Sequence, residues 1–190
     1  MRSNIPYRLS KELSGLDGTI GIGTVTDPYQ YAEKRFRLTQ RCLEILKERD
    51  FRIHLHTKSD LILRDIDLIS SMRGEVGITI TGVDDRFSKI TEPGAPLPGK
   101  RIEALRRLSE RGVNTYALIG PVLNHLEGRE EDLVNAVASA GVKRVYIDSL
   151  NPRPELMGRL IRMNICGSET SKERIRKLAA DSGLLVRNVF

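Results

Sequence analysis

The sequence predicts an α/β fold in which parallel strands form part of a barrel. Short runs rich in β-branched residues alternate with amphipathic segments along the 190 residues, and this alternation is typical of parallel sheets with helical crossovers. Several of these runs also carry a polar side chain at every second position, which gives the sheet one polar face. Because strands covered by helices on both faces are nearly continuous apolar runs, the pattern favours a partial barrel with a polar lumen over an open doubly wound sheet.

Five strands are predicted, and a sixth candidate lies near the end of the chain. They span 19–26, 51–56, 76–81, 113–119 and 142–149, with 183–190 as the sixth. On the second strand His54, His56 and Lys58 share one face, and on the third Thr79 and Thr81 do so. Polar groups at the carboxyl ends of such strands are where α/β enzymes place their sites.

The segments between the strands have the apolar spacing of amphipathic helices. They span 30–49, 60–72, 98–111 and 128–140. A closed eight-stranded barrel usually needs about 250 residues, so we expect an incomplete one. We also expect a single domain over 1–190, divided into an N-terminal helix or edge segment (1–18), βα repeats (19–154), and C-terminal helices with a candidate last strand (155–190).

Composition limits the classes of partner and compartment. The net charge of +6 and the pI near 9.5 permit contact with nucleic acid, but the basic residues are dispersed over helices and interleaved with acids. No run of about 18 apolar residues and no signal-like N-terminus is present, which predicts a cytoplasmic protein without membrane contact. Cys42 and Cys166 provide neither a disulfide framework nor a paired metal spacing.

The residues alone leave several functions open. Thr24, Thr26 and Asp27 close the first strand either as a turn or as a hydroxyl pair that binds a polar ligand. His54 and His56, with Asp148 as a third ligand, suggest a metal-dependent hydrolase. A non-catalytic module that binds nucleic acid or protein through the basic helices is a further alternative.

Five motifs, taken in order, resemble the radical S-adenosylmethionine (SAM) superfamily, in the branch that includes spore photoproduct lyase. The resemblance covers roughly residues 4–154. The motifs are Gly21–Gln30 (GIGTVTDPYQ) with Glu33-Lys34, Thr57–Leu61 (TKSDL) with Arg64-Asp65, Thr79–Thr81 leading to Glu92-Pro93-Gly94 and Arg101, Ile119–Pro121 (IGP), and Asp148–Pro154 (DSLNPRP).

The resemblance implies a (β/α)6-type partial barrel, without its first strand, that binds SAM across the carboxyl ends of its strands. Thr26 looks like the polar residue at the methionine end, and Lys58 like the lysine that meets the SAM carboxylate. Thr79 or Thr81 looks like the ribose-binding hydroxyl. The remaining candidates are Ile119 and Gly120 near the adenine, Arg101, and Thr24, which stands approximately where spore photoproduct lyase has its hydrogen-donating cysteine.

The family's cluster motif has no counterpart in these residues. The resemblance implies a 4Fe-4S cluster held by a C-x-x-x-C-x-x-C loop, which would precede residue 1, and Cys42 and Cys166 cannot replace three clustered thiolates. We therefore expect this chain alone to hold no cluster, to be catalytically inactive and to bind SAM weakly. An unpaired first strand further predicts either a homo-oligomer through that edge or an edge capped by residues 1–15.

Overall fold

Six parallel strands follow one another across a single sheet in a computed structural model that describes residues 4–151 and 153–188. Each strand pairs with its neighbours in sequence, so β1 and β6 form the two edges of the sheet in the described part of the chain. The α/β class and the parallel sheet of a partial barrel are thereby confirmed. The strands are β1 (Thr19–Ile22), β2 (Arg52–Thr57), β3 (Gly74–Ile80), β4 (Thr115–Val122), β5 (Arg144–Ser149) and β6 (Leu185–Asn188).

Helices connect the strands where the amphipathic spacing predicts them, with one addition and one difference: the predicted helix at 60–72 is a 3-10 turn followed by a helix of only five residues. The seven-residue α5 lies in the long segment between β3 and the next predicted helix, and Asp84 caps it by accepting hydrogen bonds from the backbone of Arg86 and Phe87. The helices are α1 (Ile5–Glu12), α2 (Glu33–Phe36), α3 (Leu38–Glu48), α4 (Ile66–Ser70), α5 (Asp85–Thr91), α6 (Pro98–Glu110), α7 (Glu130–Ser139), α8 (Pro154–Arg162) and α9 (Glu169–Asp181), with 3-10 turns at Asp60–Asp65 and Asn124–Leu126.

The two faces of the sheet divide as the strand periodicity predicts. On β3, Val76, Ile78 and Ile80 are buried in the apolar core. Glu75 and Gly77 alternate with them and belong to the polar face, which is the lumen of the partial barrel. Gly77 is required there, because an added Cβ would overlap the ring of Tyr116.

The first strand is shorter than the predicted 19–26 and ends at Ile22. Gly23 adopts a positive φ of 94°, and a Cβ at this position would collide with the carbonyl of His56. The chain therefore leaves the sheet there and crosses the end of β2. Helix α1, which precedes β1, packs on α3, with Leu13 buried in the core, and Cys42 of α3 is half-buried.

None of the helices within the described ranges is long and apolar enough to cross a membrane.

Candidate functional site

Asp27 joins the ends of the first two strands. Its Oδ1 accepts hydrogen bonds from the Tyr29 amide at 2.8 Å and the Thr57 hydroxyl at 2.6 Å, and its Oδ2 accepts one from the Lys58 amide at 2.7 Å. By accepting three hydrogen bonds, the Asp27 carboxylate holds the loop after β1 against Lys58, the first residue after β2. The backbone of Lys58 is thereby fixed at the mouth of the partial barrel.

Glu92 is the hub of the polar groups at this mouth. Its Oε1 accepts a hydrogen bond from Lys58 Nζ at 2.6 Å, and its Oε2 accepts bonds from Thr81 Oγ1 and an Arg101 guanidinium nitrogen, both at 2.7 Å. Burial alone would raise the pKa of Glu92, but the charge of Lys58 and these hydrogen bonds hold it below its ordinary value. Glu92 is therefore ionised, and it directs the Lys58 ammonium.

Arg101 supports this hub from below. Its side chain is 1% exposed, and its guanidinium also donates to the carbonyls of Pro96 and Thr79. Arg101, one of the predicted site residues, is therefore buried behind the mouth. It affects Lys58 indirectly, because it holds the Glu92 carboxylate to which Lys58 is bonded.

A chain of hydrogen bonds runs through the lumen below the mouth. Glu75 Oε1 lies 3.1 Å from His54 Nδ1, His54 Nε2 lies 2.7 Å from the Tyr116 hydroxyl, that hydroxyl lies 3.2 Å from His56 Nδ1, and His56 Nε2 lies 2.6 Å from Thr79 Oγ1. Burial lowers the pKa of His56 to about 4, so this imidazole is neutral. In the neutral form of His54, the Glu75 carboxylate requires a donor at Nδ1, and the single hydroxyl proton of Tyr116 then requires the Nδ1–H tautomer of His56 as well.

These contacts disfavour the metal-dependent hydrolase. All four ring nitrogens of His54 and His56 have partners within the lumen. Asp148 lies on β5, with β3 and β4 between it and the histidines. Among residues 4–151 and 153–188, no group of three or more His, Cys, Asp or Glu side chains is placed to hold a metal ion.

The structure brings only some of the predicted site residues together. Lys58 and Thr81 meet at Glu92, and Thr79 lies on β3 two residues before Thr81, which directly follows the strand. Gly120 lies on the polar face, where an added Cβ would be 2.6 Å from the Cβ of Asp148. The Ile119 side chain, in contrast, is completely buried in the apolar core.

The two threonines of the loop after β1 lie apart from this group. Thr24 and Thr26 are exposed. Thr26 lines a separate groove of about 330 Å³ that is bounded by α1, β1 and α3. In this conformation the structure therefore does not bring Thr26 into the cluster around Lys58.

Two cavities flank Lys58, and among the described residues only Lys58 lines both. The first, of about 340 Å³, lies between the ends of β3 to β5 and helix α8 and is mostly apolar. The second, of about 380 Å³, lies between the loop after β1 and Pro93–Pro96 and includes Asp27, Gln30 and Asp60. The Lys58–Glu92 pair therefore stands at the junction of an apolar cavity and a more polar one.

Several residues of the motifs that resemble radical SAM proteins serve the scaffold. The buried Glu33 carboxylate accepts hydrogen bonds from the backbone of Leu38 and Thr39 at the start of α3 and pairs with Arg64 at 2.9 Å. Arg64 also pairs with the buried Asp65 at 2.8 Å. This network ties the segment after β1 to the turn after β2.

Sequence comparisons give the same family from independent evidence. The profile of the Radical SAM superfamily matches residues 17–133. The uncharacterized protein MJ0683 of Methanocaldococcus jannaschii is 36% identical over 127 residues, which are 66% of this chain and 48% of that protein. The uncharacterized protein Rv2578c of Mycobacterium tuberculosis is 28% identical over 168 residues, 83% of this chain and 49% of that protein. The chain thus spans about half the length of these curated relatives.

Solved structures share the fold at low sequence identity. SuiB of Streptococcus suis bound to S-adenosylmethionine superimposes with a TM-score of 0.63 at 13% identity, over 97% of this chain and 42% of SuiB. Spore photoproduct lyase complexed with dinucleoside spore photoproduct gives a TM-score of 0.63 at 13% identity, over 96% of this chain and 64% of the lyase. At this level of identity the likeness concerns the fold.

Proposed function

Since this chain belongs to the radical SAM superfamily, we propose that the mouth of its partial barrel binds SAM. The observation that carries the proposal is the Lys58 ammonium, held by Glu92 where two cavities meet at the carboxyl ends of the strands. An ammonium in this position attracts a carboxylate such as that of the methionine group of SAM. In this family SAM is the source of a 5′-deoxyadenosyl radical once a reduced cluster cleaves it.

The residues present fit part of this ligand. Lys58 would meet the SAM carboxylate. Thr81 Oγ1 donates its proton to Glu92, so its oxygen can accept a hydrogen bond from a ribose hydroxyl. Gly120 would lie near the adenine, although Asp148 already fills the space beside its Cα.

The residues present do not fit the cluster. The sequence has two cysteines. Cys42 is half-buried within α3, where burial raises its pKa to about 11, and Cys166 is exposed near the start of α9. Ligation of a 4Fe-4S cluster requires clustered thiolates. We propose that these 190 residues alone do not cleave SAM reductively.

Two measurements test these proposals separately. Calorimetric titration with SAM should show weak binding that falls about tenfold or more in Lys58→Met, while Lys47→Met, an exposed change on α3, should bind like the parent. Equal binding by Lys58→Met would exclude the proposed site. Anaerobic reconstitution with iron and sulfide should give no stoichiometric cluster and no 5′-deoxyadenosine, and formation of either would contradict the proposed inactivity.

Nucleic-acid binding is the second candidate, and the rim of the barrel mouth favours it. Arg86 and Lys89 of α5 and Arg153 before α8 have no acidic partner in the part of the chain that the structure describes. The exposed apolar side chains of Val25, on the loop after β1, and of Ile90, on α5, lie at the same end. Fluorescence anisotropy with a single-stranded oligonucleotide should show binding that weakens steeply with salt, and no binding at low salt would exclude this candidate.

We also propose self-association through the outer edge of β1, which has no strand partner among the described residues. Unpaired backbone groups along a sheet edge favour pairing with another chain. Size-exclusion chromatography with mass measurement should give a dimer or larger species, and Thr19→Pro should shift it to the monomer because proline removes a donor from the outer edge. A monomeric parent would refute the proposal.

A further inference from the structure

The segment after β1 carries two exposed aromatic rings, each with a cation over it. Tyr31 is 87% exposed, and Phe36 is 42% exposed. The Lys34 ammonium lies 5.5 Å from the centre of the Tyr31 ring, and the Arg35 guanidinium lies 5.4 Å from the centre of the Phe36 ring. Because these rings contribute little to the apolar core, much of their surface is available to stack against a partner.

The two rings and their cations line one open cleft of about 500 Å³, the aromatic cleft. Its lining residues are Tyr31, Ala32, Lys34, Arg35 and Phe36. Among the described residues, it shares none with the apolar cavity at the mouth of the barrel. It shares Tyr31 and Lys34 with the more polar cavity beside Lys58. The aromatic cleft therefore lies outside the mouth but next to it.

The positive charge at the aromatic cleft has no nearby acid to balance it. Within residues 4–151 and 153–188, no acidic side chain forms an ion pair with Lys34, Arg35 or Arg37. Glu33, the acid of α2, is buried and already paired with Arg64 at 2.9 Å. Three cations within four residues therefore attract a partner that carries several negative charges.

The backbone at Arg37 is strained, which the scaffold alone does not explain. Its φ of 47° lies in the left-handed region, which is unfavourable for a residue with a long side chain. The Glu33 carboxylate fixes this turn by accepting hydrogen bonds from the amides of Leu38 and Thr39. A glycine would adopt the same turn with less strain. An arginine at this position therefore points to a role for its side chain.

We propose that the aromatic cleft binds a segment of single-stranded nucleic acid. Bases stack on the rings of Tyr31 and Phe36. Phosphates pair with Lys34, Arg35 and Arg37. Rings interleaved with cations bind single strands with little regard to sequence, whereas an acidic peptide offers charges without flat rings. This inference adds a surface to the nucleic-acid candidate above. Delivery of a nucleotide from the cleft to the mouth rests on the proposed SAM binding, and binding to the cleft does not.

Two labelled probes with the same number of phosphates separate stacking from charge. One is an oligothymidylate of about 12 nucleotides, and the other is an abasic oligonucleotide of the same length. Fluorescence anisotropy with the 190-residue protein at about 50 mM salt should show the oligothymidylate binding about tenfold or more tightly. Equal affinities, or no binding of either probe, would overturn the proposal. Cosedimentation with phosphatidylserine vesicles that is lost in Tyr31→Ala would also overturn it, because the ring would then serve a membrane.

Two pairs of variants separate the role of the ring from that of the charge. Tyr31→Ala should weaken oligothymidylate binding about tenfold and leave the abasic probe unchanged. Tyr7→Ala removes a ring on α1 that is also exposed and lies 5.8 Å from the Lys11 ammonium, and it should change neither. Lys34→Gln should lower the slope of log affinity against log salt concentration by about 0.7, and Lys11→Gln should not. Effects of equal size within either pair would refute the assigned contacts.

Variants at the rim of the mouth distinguish failure of this inference from failure of the proposed functions. If Arg86→Gln and Lys89→Gln weaken oligothymidylate binding while Tyr31→Ala and Lys34→Gln do not, the rim binds nucleic acid and the inference about the cleft fails. If the cleft variants weaken binding as expected in a protein that does not bind SAM, the cleft stands and the proposed SAM binding fails.

Discussion

Replacing Asp27 by Asn should destabilise the junction between the first two strands. The carboxylate accepts hydrogen bonds from the Tyr29 amide, the Thr57 hydroxyl and the Lys58 amide. An asparagine side chain of the same shape has one oxygen and one NH2 group. If the oxygen keeps its bonds to Tyr29 and Thr57, the NH2 group faces the Lys58 amide. If the side chain flips, the NH2 group faces the Tyr29 amide.

The magnitude follows from this count of donors. In either orientation one backbone N–H loses its acceptor, which costs about 1 to 3 kcal/mol. The remaining bonds also lose the assistance of the carboxylate charge. Because Asp27 is only half-buried, water offsets part of the loss, and we expect the free energy of unfolding to fall by about 2 kcal/mol.

Urea unfolding monitored by circular dichroism measures this difference directly. Asp17→Asn makes the same chemical change at an exposed position and should alter the free energy of unfolding by less than about 0.5 kcal/mol. The m-value should stay constant, because the surface exposed on unfolding does not change. A loss at Asp27 no larger than the loss at Asp17 would show that the three hydrogen bonds do not hold the junction.

Three further predictions concern the lumen. Because burial lowers the pKa of His56 to about 4, from about 6.5 in the unfolded chain, the unfolded state binds more protons between these pH values. The contribution of His56 to the free energy of unfolding should therefore fall by up to about 3 kcal/mol as the pH drops from 6.5 to 4, and since burial also lowers the pKa of His125 to about 4, urea titrations should show a flatter, but not flat, dependence in His56→Gln. Gly77→Ala should cost about 1 to 3 kcal/mol, because the new Cβ overlaps the ring of Tyr116, and an unchanged near-UV circular dichroism spectrum would contradict this displacement. Tyr116→Phe removes the hydroxyl between the two histidines, so nitrogen-15 NMR should show His54 still in the Nδ1–H tautomer and His56 no longer restricted to it. Unchanged His56 signals would show that its tautomer is set locally.

The alternation of polar and apolar residues predicts the strands and their two faces well, because burial of one face requires an apolar side chain at every second position. The polar and apolar faces of β2, β3 and β5 follow from a period of two residues. Helix α5 is not predicted from the sequence, since its seven residues carry too short an apolar pattern, although the Asp84 cap is a usable signal. Glu92 is missed as the hub because its partners Lys58, Thr81 and Arg101 come from three separate segments. The spacing of residues in a sequence does not show which side chains from separate segments come into contact.

Residues of the strand-end motifs have two roles, holding the scaffold together and binding a ligand, and the sequence alone does not distinguish them. The carboxylate oxygens of Asp27, Glu33 and Asp65 accept hydrogen bonds from backbone amides, from Arg64 or from other side chains of the scaffold. Lys58, in contrast, is 40% exposed along its side chain and lines both cavities. Its ammonium has three donors, of which Glu92 takes one. The presence of these motifs is therefore evidence mainly for a shared scaffold. The evidence for ligand binding comes from Lys58, whose ammonium keeps two donors that Glu92 does not use.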